Sequence, residues 1–323
     1  MAARELRLLL IGAELSESQL ARLRERFPDI EFVVATGEEF DRRLPEADAV
    51  LNWRLTPEQV ARATRLRWLQ TVGAGVDDIL HPELIQRGIL ITNNSGVHAT
   101  NISEHILAMM LAFARRLPFL MRGQVAHEWR DEDGRRGVFE LDGQTLLVVG
   151  TGDIGQALAQ RASALGMTVL GVRRRPGQGS VPGCAEVAGI EQLPAMLGRA
   201  DHVAICLPLT RETHGLFNRE TIAAMRPGSY LYNIGRGPIV ETQALIEALQ
   251  SGHLAGAGLD VTDPEPLPPD SPLWDMENVI ITAHTSGATP RYWDRAVEIL
   301  SANIERFRAG QDLINLVDPE AGY

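Results

Sequence analysis

Short apolar runs alternate with amphipathic stretches along the chain, a pattern typical of parallel strands linked by helices. Between the runs of the amino-terminal part, Ser16–Phe27 and Pro57–Ala63 have helical spacing of apolar residues, and Ser16 is a suitable N-cap. The apolar runs of this part predict five strands: Leu6–Ile11, Glu31–Val34, Ala49–Asn52, Trp68–Thr71 and Leu90–Thr92. This part of the chain therefore predicts a small α/β domain.

From His98 onward the pattern changes to one long helix and then to a second series of strands. We predict a single helix over Asn101–Met121 and a surface loop over Gln124–Arg136, where charged residues are frequent. The six strand candidates that follow are Thr145–Val149, Thr168–Val172, His202–Leu207, Tyr230–Ile234, Gly256–Leu259 and Val279–Thr282. Strands separated by helices in this number match a doubly wound, dinucleotide-binding sheet.

The end of the chain completes the domain prediction. The prolines of DPEPLPPDSP at 263–272 favour a surface loop, because proline sustains neither helix nor strand ladders. A last helix, predicted over Arg291–Ala309, is expected to return to the first domain. We therefore predict a substrate domain over residues 1–98, completed by 293–323, and a dinucleotide-binding domain over residues 99–292.

Composition narrows the class of protein. An apolar content of 45% and a charged content of 23% over 323 residues are ordinary for a soluble globular chain of two domains. The net charge of −11 argues against a nucleic-acid partner, because phosphate binding requires a basic surface. The two cysteines form no disulfide framework, and no cysteine–histidine spacing resembles a metal site. The first apolar run, at 6–13, is too short and too charged at its edges for a signal peptide. The longest apolar helix candidate, Ile106 to Ala114, is too short for a membrane span, so we expect a cytoplasmic protein.

The segment GTGDIG at 150–155 follows the apolar run LLVV and opens Gln156–Leu165, which we predict to be a helix. Gly150 suits a tight turn, Gly152 lets the backbone approach a pyrophosphate, and Gly155 lets the helix pack on the strand. The helix N-terminus adds free N–H groups and the positive end of the helix dipole. The flanking strand and helix favour an NAD(P) site over a glycine-rich turn that binds no ligand.

The residue after the predicted strand Thr168–Val172 bears on the choice between the two nicotinamide cofactors, NAD(H) and NADP(H). An NAD site normally has Asp or Glu there, which accepts hydrogen bonds from the ribose hydroxyls. This chain has Arg173, followed by Arg174 and Arg175, and guanidinium groups form charge-assisted hydrogen bonds with a 2′-phosphate. We therefore predict a preference for NADP(H), with NAD(H) as the second cofactor. The alternative is that these arginines form a solvated turn.

Three polar residues of the carboxyl-terminal half have the chemistry of 2-keto acid reduction: Arg236 in NIGRGPIV, Glu265 in DPEPLP and His284 in ITAHTSG. An arginine can hold the carboxylate of the acid, and an imidazole can protonate the carbonyl oxygen. A paired carboxylate favours the protonated imidazole and fixes its orientation. Taken singly, a loop arginine, a solvated glutamate and a structural histidine are the commoner interpretations. Their joint occurrence favours a catalytic site.

Three other histidines, His98, His105 and His127, compete with His284 for the role of proton donor. His105 lies inside the predicted long helix, where packing or an interface is the simpler interpretation. We therefore do not select it.

Taken together, these segments resemble the motifs of the D-isomer-specific 2-hydroxyacid dehydrogenases. The motifs are TVGAGVDDI at 71–79, ISEHILAMMLA at 102–112, GTGDIG, CLPLTRETHGLFN, NIGRGPIVE, AGLDVTDPEPLP and ITAHTSG. Within the family the chain is similar to the glyoxylate/hydroxypyruvate reductase branch, which shares GAGVD and an ending like VDPEAGY. The resemblance implies two doubly wound α/β domains with a cleft between them. One is a Rossmann-type NAD(P)-binding domain and the other a smaller flavodoxin-like substrate or lid domain. It also implies a homodimer formed through the nucleotide-binding domain.

By position, the resemblance assigns substrate binding to Arg236, the paired carboxylate to Glu265 and proton donation to His284, in agreement with their chemistry. The predicted cofactor contacts are Gly150, Gly152, Asp153, Ile154, Gly155, Arg173, Arg174, Leu207, Pro208, Thr210, Ile234, Asp260 and Thr100. The predicted substrate contacts, besides Arg236, are Ala74, Gly75, Val76, Trp53 and Arg54 in the first domain. Simple packing is an equally good interpretation of Trp53.

We therefore predict an NADPH-preferring reductase that converts a 2-keto acid to a D-2-hydroxy acid. Glyoxylate, hydroxypyruvate, pyruvate and phenylpyruvate are all compatible substrates. Glu265 argues against formate oxidation, because formate dehydrogenases have glutamine in place of the paired glutamate. Oxidation of phosphite or of another D-2-hydroxy acid on the same fold stays open, as does a non-catalytic NAD(P)-sensing protein of the corepressor type. Phosphite-oxidising members and the corepressors both keep Arg, Glu and His. The additional regulatory domain of many phosphoglycerate dehydrogenases is not expected in a chain that ends at Tyr323.

Overall fold

The computed structural model of the protein describes residues 4–76, 79–177 and 179–320. The chain divides into two compact units, one formed by Met1–Val97 with Thr289–Tyr323 and the other by His98–Ala288. Asp77 and Asp78 of the TVGAGVDDI motif, and the last three residues of the VDPEAGY ending, lie outside the described residues.

The described residues of the first unit form a parallel sheet of five strands: β1 (Leu8–Ile11), β2 (Glu31–Val34), β3 (Ala49–Asn52), β4 (Trp68–Thr71) and β5 (Leu90–Thr92). Its order, β2-β1-β3-β4-β5, is the doubly wound order of flavodoxin-like sheets. The helices of this unit are α1 (Glu17–Arg26), α2 (Gly37–Arg43), α3 (Pro57–Arg62), α4 (Pro82–Gln86) and, near the end of the chain, α12 (Tyr292–Arg308). The five predicted strands are confirmed, although β1 begins at Leu8, and Ser16 is the N-cap of α1.

The strand β1 explains why helices cover both faces of this sheet. Leu8 and Leu10 are buried in one apolar core, whereas Leu9 and Ile11 are buried in a second core together with Phe307 of α12. Successive side chains of a strand point to opposite faces. A strand that is apolar at every position is therefore stable only where both faces of the sheet are covered.

The described residues of the second unit form a parallel sheet of seven strands: β6 (Thr145–Val149), β7 (Thr168–Arg173), β8 (Glu186–Gly189), β9 (His202–Ile205), β10 (Ser229–Asn233), β11 (Leu254–Leu259) and β12 (Val279–Ile281). The order β12-β11-β10-β9-β6-β7-β8 contains the Rossmann order and reverses between β6 and β9. The helices of this unit are α5 (Ala99–Ala114), α6 (Leu117–Val125), α7 (Asp131–Arg135), α8 (Asp153–Ala164), α9 (Leu193–Leu197), α10 (Arg219–Ala223) and α11 (Thr242–Gln250). Short 3-10 helices occupy Leu44–Glu46 in the first unit and Ile190–Gln192, Gly237–Ile239 and Pro272–Trp274 in the second. The predicted fold class, two doubly wound α/β sheets, is confirmed.

The prediction of one helix over Asn101–Met121 is wrong. The helix ends after Ala114, and Arg116 has a φ of 53°, in the left-handed region, so the chain turns before α6 begins at Leu117. Proline in the first turn of α6 starts the new helix without losing a backbone hydrogen bond. The predicted loop over 124–136 is also wrong in part, because α6 continues to Val125 and Asp131–Arg135 is helical.

Two further differences from prediction in the second unit concern the edge of its sheet and the start of the helix after the glycine turn. The edge strand β8 was not predicted, because its four residues have a weak apolar signal and only its last two are buried. The helix α8 begins at Asp153 and not at Gln156, since Gly152 is its N-cap and the last residues of GTGDIG form its first turn. Among the described residues, every helix is too short or too polar to cross a lipid bilayer.

Candidate active site

The glycine-rich turn joins β6 to α8 at the place where the strand order reverses. Gly150 has a φ of 99°, and a β carbon there would lie 2.6 Å from the carbonyl oxygen of Cys206. A β carbon on Gly155 would lie 2.0 Å from the carbonyl oxygen of Gly150, because α8 packs closely on the turn. At Gly152, in contrast, a β carbon would enter open space. Two of the glycines are therefore required by packing, and the third leaves room for a ligand.

This open side of the turn fits the pyrophosphate of a dinucleotide. Gly152, as N-cap, offers no side chain to the free N–H groups of the first turn of α8, and these groups can bind a phosphate. The hydroxyl of Thr151 is buried and has no hydrogen-bond partner among the described residues. The chemistry of the turn therefore suits the NAD(P) group that the sequence predicts.

Other predicted cofactor residues surround the turn or follow neighbouring strands. Leu207 comes within contact distance of a β carbon built on Gly150, at 3.0 Å. The segment after Leu207 is ordered by Thr213, whose hydroxyl donates to the carbonyl oxygen of Pro208 at 2.7 Å and accepts from the N–H of Thr210 at 2.8 Å.

Four more of the predicted cofactor residues lie at the ends of elements of the same unit. Asp153 and Ile154 are in the first turn of α8, the former exposed and the latter packed against the core. Ile234 follows β10 and is buried, and Thr100 is in the first turn of α5. Their contacts with a cofactor stay a prediction.

The strand β7 ends at Arg173, one residue beyond Val172, which pairs with Val149 at the end of β6. Nη2 of Arg173 donates to the carbonyl oxygen of Pro176 at 3.0 Å and to that of Gly179, and thereby closes the turn after the strand. Arg174 and Arg175 are exposed in this turn. The end of β7 therefore carries guanidinium groups in the position where NAD sites carry a carboxylate.

Glu265 and His284 are in direct contact. Oε1 of Glu265 lies 2.6 Å from Nδ1 of His284, so the carboxylate accepts the hydrogen on Nδ1 and Nε2 is the ring nitrogen left for proton transfer. The side chains are 41% and 49% exposed, which keeps the pair within reach of a small molecule from solution. The contact has the geometry of a general acid and the carboxylate that orients it.

The backbone that carries His284 has an unusual conformation. Ala283 and His284 follow β12 with φ angles of 48° and 57°, in the left-handed region that residues other than glycine seldom adopt. The N–H of His284 donates to the carbonyl oxygen of Asp260 at 2.6 Å. Such conformations persist where neighbours hold them, and they are frequent at active sites.

The carboxylate of Asp260 is buried and holds the same turn. Its Oδ1 accepts from the Thr282 hydroxyl at 2.6 Å and from the Thr285 N–H at 2.9 Å. Both oxygens accept from the Ser286 N–H at 3.2 Å, and Oδ2 also accepts from the Ser286 hydroxyl. The predicted contact between Asp260 and the cofactor stays a prediction, whereas these hydrogen bonds connect Asp260 to the segment 282–286 that contains His284.

Arg236 follows β10 in a turn that is held by Asn233. Oδ1 of Asn233 accepts from the N–H of Gly235 at 3.1 Å, and its Nδ2 donates to the carbonyl oxygen of Arg236 at 3.0 Å. A β carbon on Gly237 would lie 1.9 Å from the carbonyl oxygen of Thr262, so the turn packs tightly on the segment after β11. Sequence reasoning missed Asn233, for which the signal is an amide side chain at the end of a buried strand.

The three residues with the predicted chemistry follow neighbouring strands. The strands β10, β11 and β12 are adjacent and parallel, so the segments with Arg236, Glu265 and His284 leave the sheet at one edge. In doubly wound sheets, ligands bind at the carboxyl ends of the strands. The glycine turn follows β6 and lies at the carboxyl end of the same parallel sheet.

Comparison with known proteins identifies the family. Residues 107–286, more than half of the chain, match the model of the D-isomer specific 2-hydroxyacid dehydrogenase NAD binding domain. The chain belongs to the D-isomer specific 2-hydroxyacid dehydrogenase family. The protein is accordingly an NAD(P)-dependent oxidoreductase, and the resemblance inferred from the sequence motifs is confirmed.

Individual relatives support the same family. This dehydrogenase is 34% identical over 312 residues to a glyoxylate reductase of Pyrococcus furiosus, with 90% of each chain covered. The crystal structure of a D-isomer specific 2-hydroxyacid dehydrogenase from Xanthobacter autotrophicus, in complex with NADPH and MES, has a TM-score of 0.86 at 30% identity and covers 99% of this chain and 100% of its own. An NADPH-dependent glyoxylate/hydroxypyruvate reductase from Sinorhizobium meliloti, in complex with NADP and sulfate, has a TM-score of 0.83 at 30% identity, covering 98% and 100%.

The predicted substrate contacts of the dehydrogenase lie in its first unit, after β3 and β4. Trp53 is 62% exposed, and its ring is 3.8 Å from the place of a β carbon on Gly73. The carbonyl oxygen of Ala74 accepts from Nδ2 of Asn93 at 2.8 Å, so an asparagine that sequence reasoning missed orders this loop. Gly75 and Arg54, like Trp53, are exposed, whereas Val76 is buried and its carbonyl oxygen accepts from the N–H of Ile79 at 3.0 Å.

The remaining nucleophilic and titratable candidates have other roles in the dehydrogenase. Burial raises the pKa of the Cys184 thiol to about 11 and that of Cys206 to about 12, so neither is a thiolate at neutral pH. His127 is exposed with a φ of 58°, and His98 is the N-cap of α5. The sequence favours packing or an interface for His105, but its Nε2 lies 2.9 Å from the hydroxyl oxygen of Thr282, in the turn that carries His284.

Proposed function

We propose that this dehydrogenase is an NADPH-preferring reductase that converts a 2-keto acid of the glyoxylate or hydroxypyruvate type to the corresponding D-2-hydroxy acid. The observation that carries the proposal is the contact of 2.6 Å between Glu265 and His284, at the strand edge that also carries Arg236. Glyoxylate and glyoxylate/hydroxypyruvate reductases among the relatives support this substrate class.

The chemistry follows from the side chains. Arg236 binds the carboxylate of the keto acid through its guanidinium fork, and thereby directs the carbonyl group. When bound at the glycine turn, NADPH supplies a hydride to the carbonyl carbon. Nε2 of His284 donates a proton to the carbonyl oxygen, which becomes the hydroxyl group, and Glu265 stabilises the imidazolium before the transfer. The imidazole then takes up a proton from solvent.

The substrate contacts that we propose in the first unit are backbone groups and two exposed side chains. In the loop formed by Ala74, Gly75 and Val76, we propose that backbone N–H groups bind the carboxylate of the acid. Trp53 and Arg54, both exposed, are proposed to select the substrate side chain. In the same proposal, residues 98–288 bind the dinucleotide and provide the chemistry.

The preference for NADPH is proposed from the end of β7. Arg173 closes the turn, and Arg174 and Arg175 provide positive charge for a 2′-phosphate, with no carboxylate among the three. The structural relatives from Xanthobacter autotrophicus and Sinorhizobium meliloti hold NADPH or NADP, which is consistent with this assignment.

Initial rates with glyoxylate, hydroxypyruvate, pyruvate and phenylpyruvate, each with NADPH and with NADH, test the proposal. We expect turnover of at least one of the first two acids, with a higher kcat/KM for NADPH. Equal or better efficiency with NADH would contradict the cofactor preference. Binding of NADPH without turnover of any keto acid would contradict the reductase assignment and favour a cofactor-sensing protein.

We also propose a homodimer formed through the dinucleotide-binding unit. Large apolar side chains are exposed over its helical segment 111–138: Leu111, Leu117, Leu120, Met121, Val125, Trp129 and Val138. Val125 is 83% and Trp129 94% exposed, and an exposed apolar surface of this kind is typical of an interface. A Val125→Glu/Trp129→Glu double variant is expected to sediment as a monomer and the unchanged protein as a dimer. A monomeric unchanged protein would refute the assignment.

A further inference from the structure

The helix α5 holds the turn that carries His284, and we propose that Asn101 and His105 of this helix are positioning residues for the proton donor. The two residues are four positions apart, so they lie on one face of the helix, one above the other. The inference rests on the proposed function, because it takes His284 to be the group that protonates the substrate.

The two side chains bind the two ends of one short segment, residues 282–286. Nδ2 of Asn101 donates to the carbonyl oxygen of Ser286 at 2.7 Å. Nε2 of His105 lies 2.9 Å from the hydroxyl oxygen of Thr282. The two residues with left-handed backbone, one of them His284, lie between these anchors. Hydrogen bonds from the helix thus hold the turn on both sides of the His284 imidazole.

The direction of the hydrogen bond from His105 follows from its neighbours. The hydroxyl of Thr282 donates its one hydrogen to Oδ1 of Asp260 at 2.6 Å. It therefore accepts from His105, whose ring must carry a hydrogen on Nε2. Nε2 is also 3.8 Å from Oδ1 of Asp260, so the buried carboxylate favours this arrangement of the ring. Helix, hydroxyl and carboxylate form one connected chain of hydrogen bonds.

The side chain of Asn101 has an energetic cost in this position, which argues that the residue serves function and not stability. Oδ1 of Asn101 is buried and has no hydrogen-bond partner among the described residues. An unpaired buried acceptor is unfavourable, and an apolar side chain would avoid it. The apolar residues Ile102, Ile106 and Met109 already anchor the helix in the core. The amide of Asn101 is therefore best explained by its bond to the turn.

The positioning role matters because the turn is intrinsically unfavourable. Two consecutive left-handed residues persist only while the surroundings hold them. Without the bonds from α5 the turn can relax, and the imidazole moves relative to the substrate held by Arg236. A displacement of about 1 Å at a reacting group lowers the rate by up to about 100-fold.

Kinetics of four variants test the inference: His105→Ala, His105→Gln, Asn101→Ala and, as matched control on an exposed position of the same helix, Glu104→Gln. We expect both alanine variants to lower kcat by about 10- to 100-fold, with unchanged affinity for NADPH and unchanged secondary structure. His105→Gln should recover most of the loss, because the glutamine amide can donate to the Thr282 hydroxyl. Alanine variants with the kcat of the control would overturn the proposal, as would equal losses in His105→Ala and His105→Gln.

A second measurement does not depend on turnover. In protein labelled with ¹³C at the histidine Cε1, the signal of His284 is assigned by its loss in His284→Gln. We expect this signal to shift or broaden in His105→Ala and Asn101→Ala, and to stay in place in Glu104→Gln. An unmoved signal in both alanine variants would refute the positioning role. If no keto acid is reduced while the signal moves as expected, the proposed reaction fails and the hold of α5 on His284 stands.

Discussion

Oε1 of Glu265 lies 2.6 Å from Nδ1 of His284, although 18 residues separate the two in the chain and they follow different strands. The pairing depends on the parallel neighbours β11 and β12, which bring their two loops to one edge of the sheet. A hydrogen bond of this kind fixes the orientation of the ring.

Replacing Glu265 by glutamine is expected to lower kcat for keto acid reduction by about 10- to 100-fold. The amide keeps the size of the side chain but removes the negative charge that stabilises the imidazolium. Steady-state kinetics with saturating NADPH measure the effect. Glu277→Gln, on an exposed carboxylate of the same unit, is the control, and equal rates in the two variants would contradict the role of Glu265.

Arg236→Lys should lower kcat/KM for the keto acid by about 100-fold, mostly through a higher KM. Lysine keeps the charge but loses the fork that binds a carboxylate with two parallel hydrogen bonds. Affinity for NADPH, measured by fluorescence titration, should not change. Arg226→Lys, on a surface arginine paired with Asp201, is the control. A KM equal to that of the unchanged protein would show that another group binds the acid.

The glycines of the cofactor turn should respond to alanine in opposite ways. Gly155→Ala is expected to lower the midpoint of thermal unfolding, because its β carbon would lie 2.0 Å from a backbone oxygen. Gly152→Ala is expected to keep the unfolding midpoint and to weaken NADPH binding, since its β carbon enters the space left for the pyrophosphate. Calorimetry and fluorescence titration separate the two effects. Unchanged NADPH affinity in a folded Gly152→Ala protein would contradict pyrophosphate binding at this turn.

Arg174→Glu is expected to raise the Kd for NADPH by at least about 10-fold and to leave the Kd for NADH within about 2-fold. The substitution places a carboxylate beside the proposed 2′-phosphate, whereas the ribose hydroxyls of NADH tolerate it. Titration with 2′,5′-ADP and with 5′-AMP isolates the adenosine half of the cofactor. Equal weakening of both nucleotides would contradict a role in phosphate recognition.

The buried His202 predicts acid sensitivity of the dinucleotide-binding unit. Its ring lies 2.6 Å from Oε1 of Gln144 and 3.0 Å from the Tyr232 hydroxyl. Burial lowers its pKa from 6.5 to about 4, so between these values the unfolded chain binds a proton that the folded chain does not. The contribution of the neutral His202 ring to the free energy of unfolding therefore has its full value above pH 6.5. It decreases by about 3 kcal/mol by pH 4.

Urea unfolding at pH 7, 6, 5 and 4 measures this loss, with His202→Gln for comparison. The variant has no titrating ring, so the difference in unfolding free energy between the two proteins should shrink as the pH falls. A difference that does not depend on pH would exclude His202 as the source.

Much of the fold could be predicted because the buried strands are apolar at successive positions, as in Leu146 to Val149, a pattern typical of a parallel sheet that is covered on both faces. The break between α5 and α6 at Arg116 could not be predicted, because an arginine with left-handed backbone depends on tertiary contacts. One of its nitrogens donates to the carbonyl oxygens of Asp133 and Arg136, far along the chain.

The candidate site likewise contains some residues that could be predicted from the sequence and others that could not. The pair Glu265 and His284 could be predicted from residue types and motif order, because proton transfer to a keto acid requires these two residue types. Asn101, His105 and Asn233 could not, because polar residues in a helix or at a strand end have many ordinary roles. Only the distances to the turns that they bind distinguish these roles.

The glycine turn, Arg236, Glu265 and His284 all belong to residues 98–288, whereas the proposed contacts for the substrate side chain belong to the other unit. The proposed function thus assigns reaction and selectivity to separate parts of the chain. It predicts that substitutions at Trp53, Arg54 or the loop at 74–76 change which acid is accepted and leave proton transfer undisturbed. Under this proposal, a few residues of the first unit are sufficient to change the substrate range.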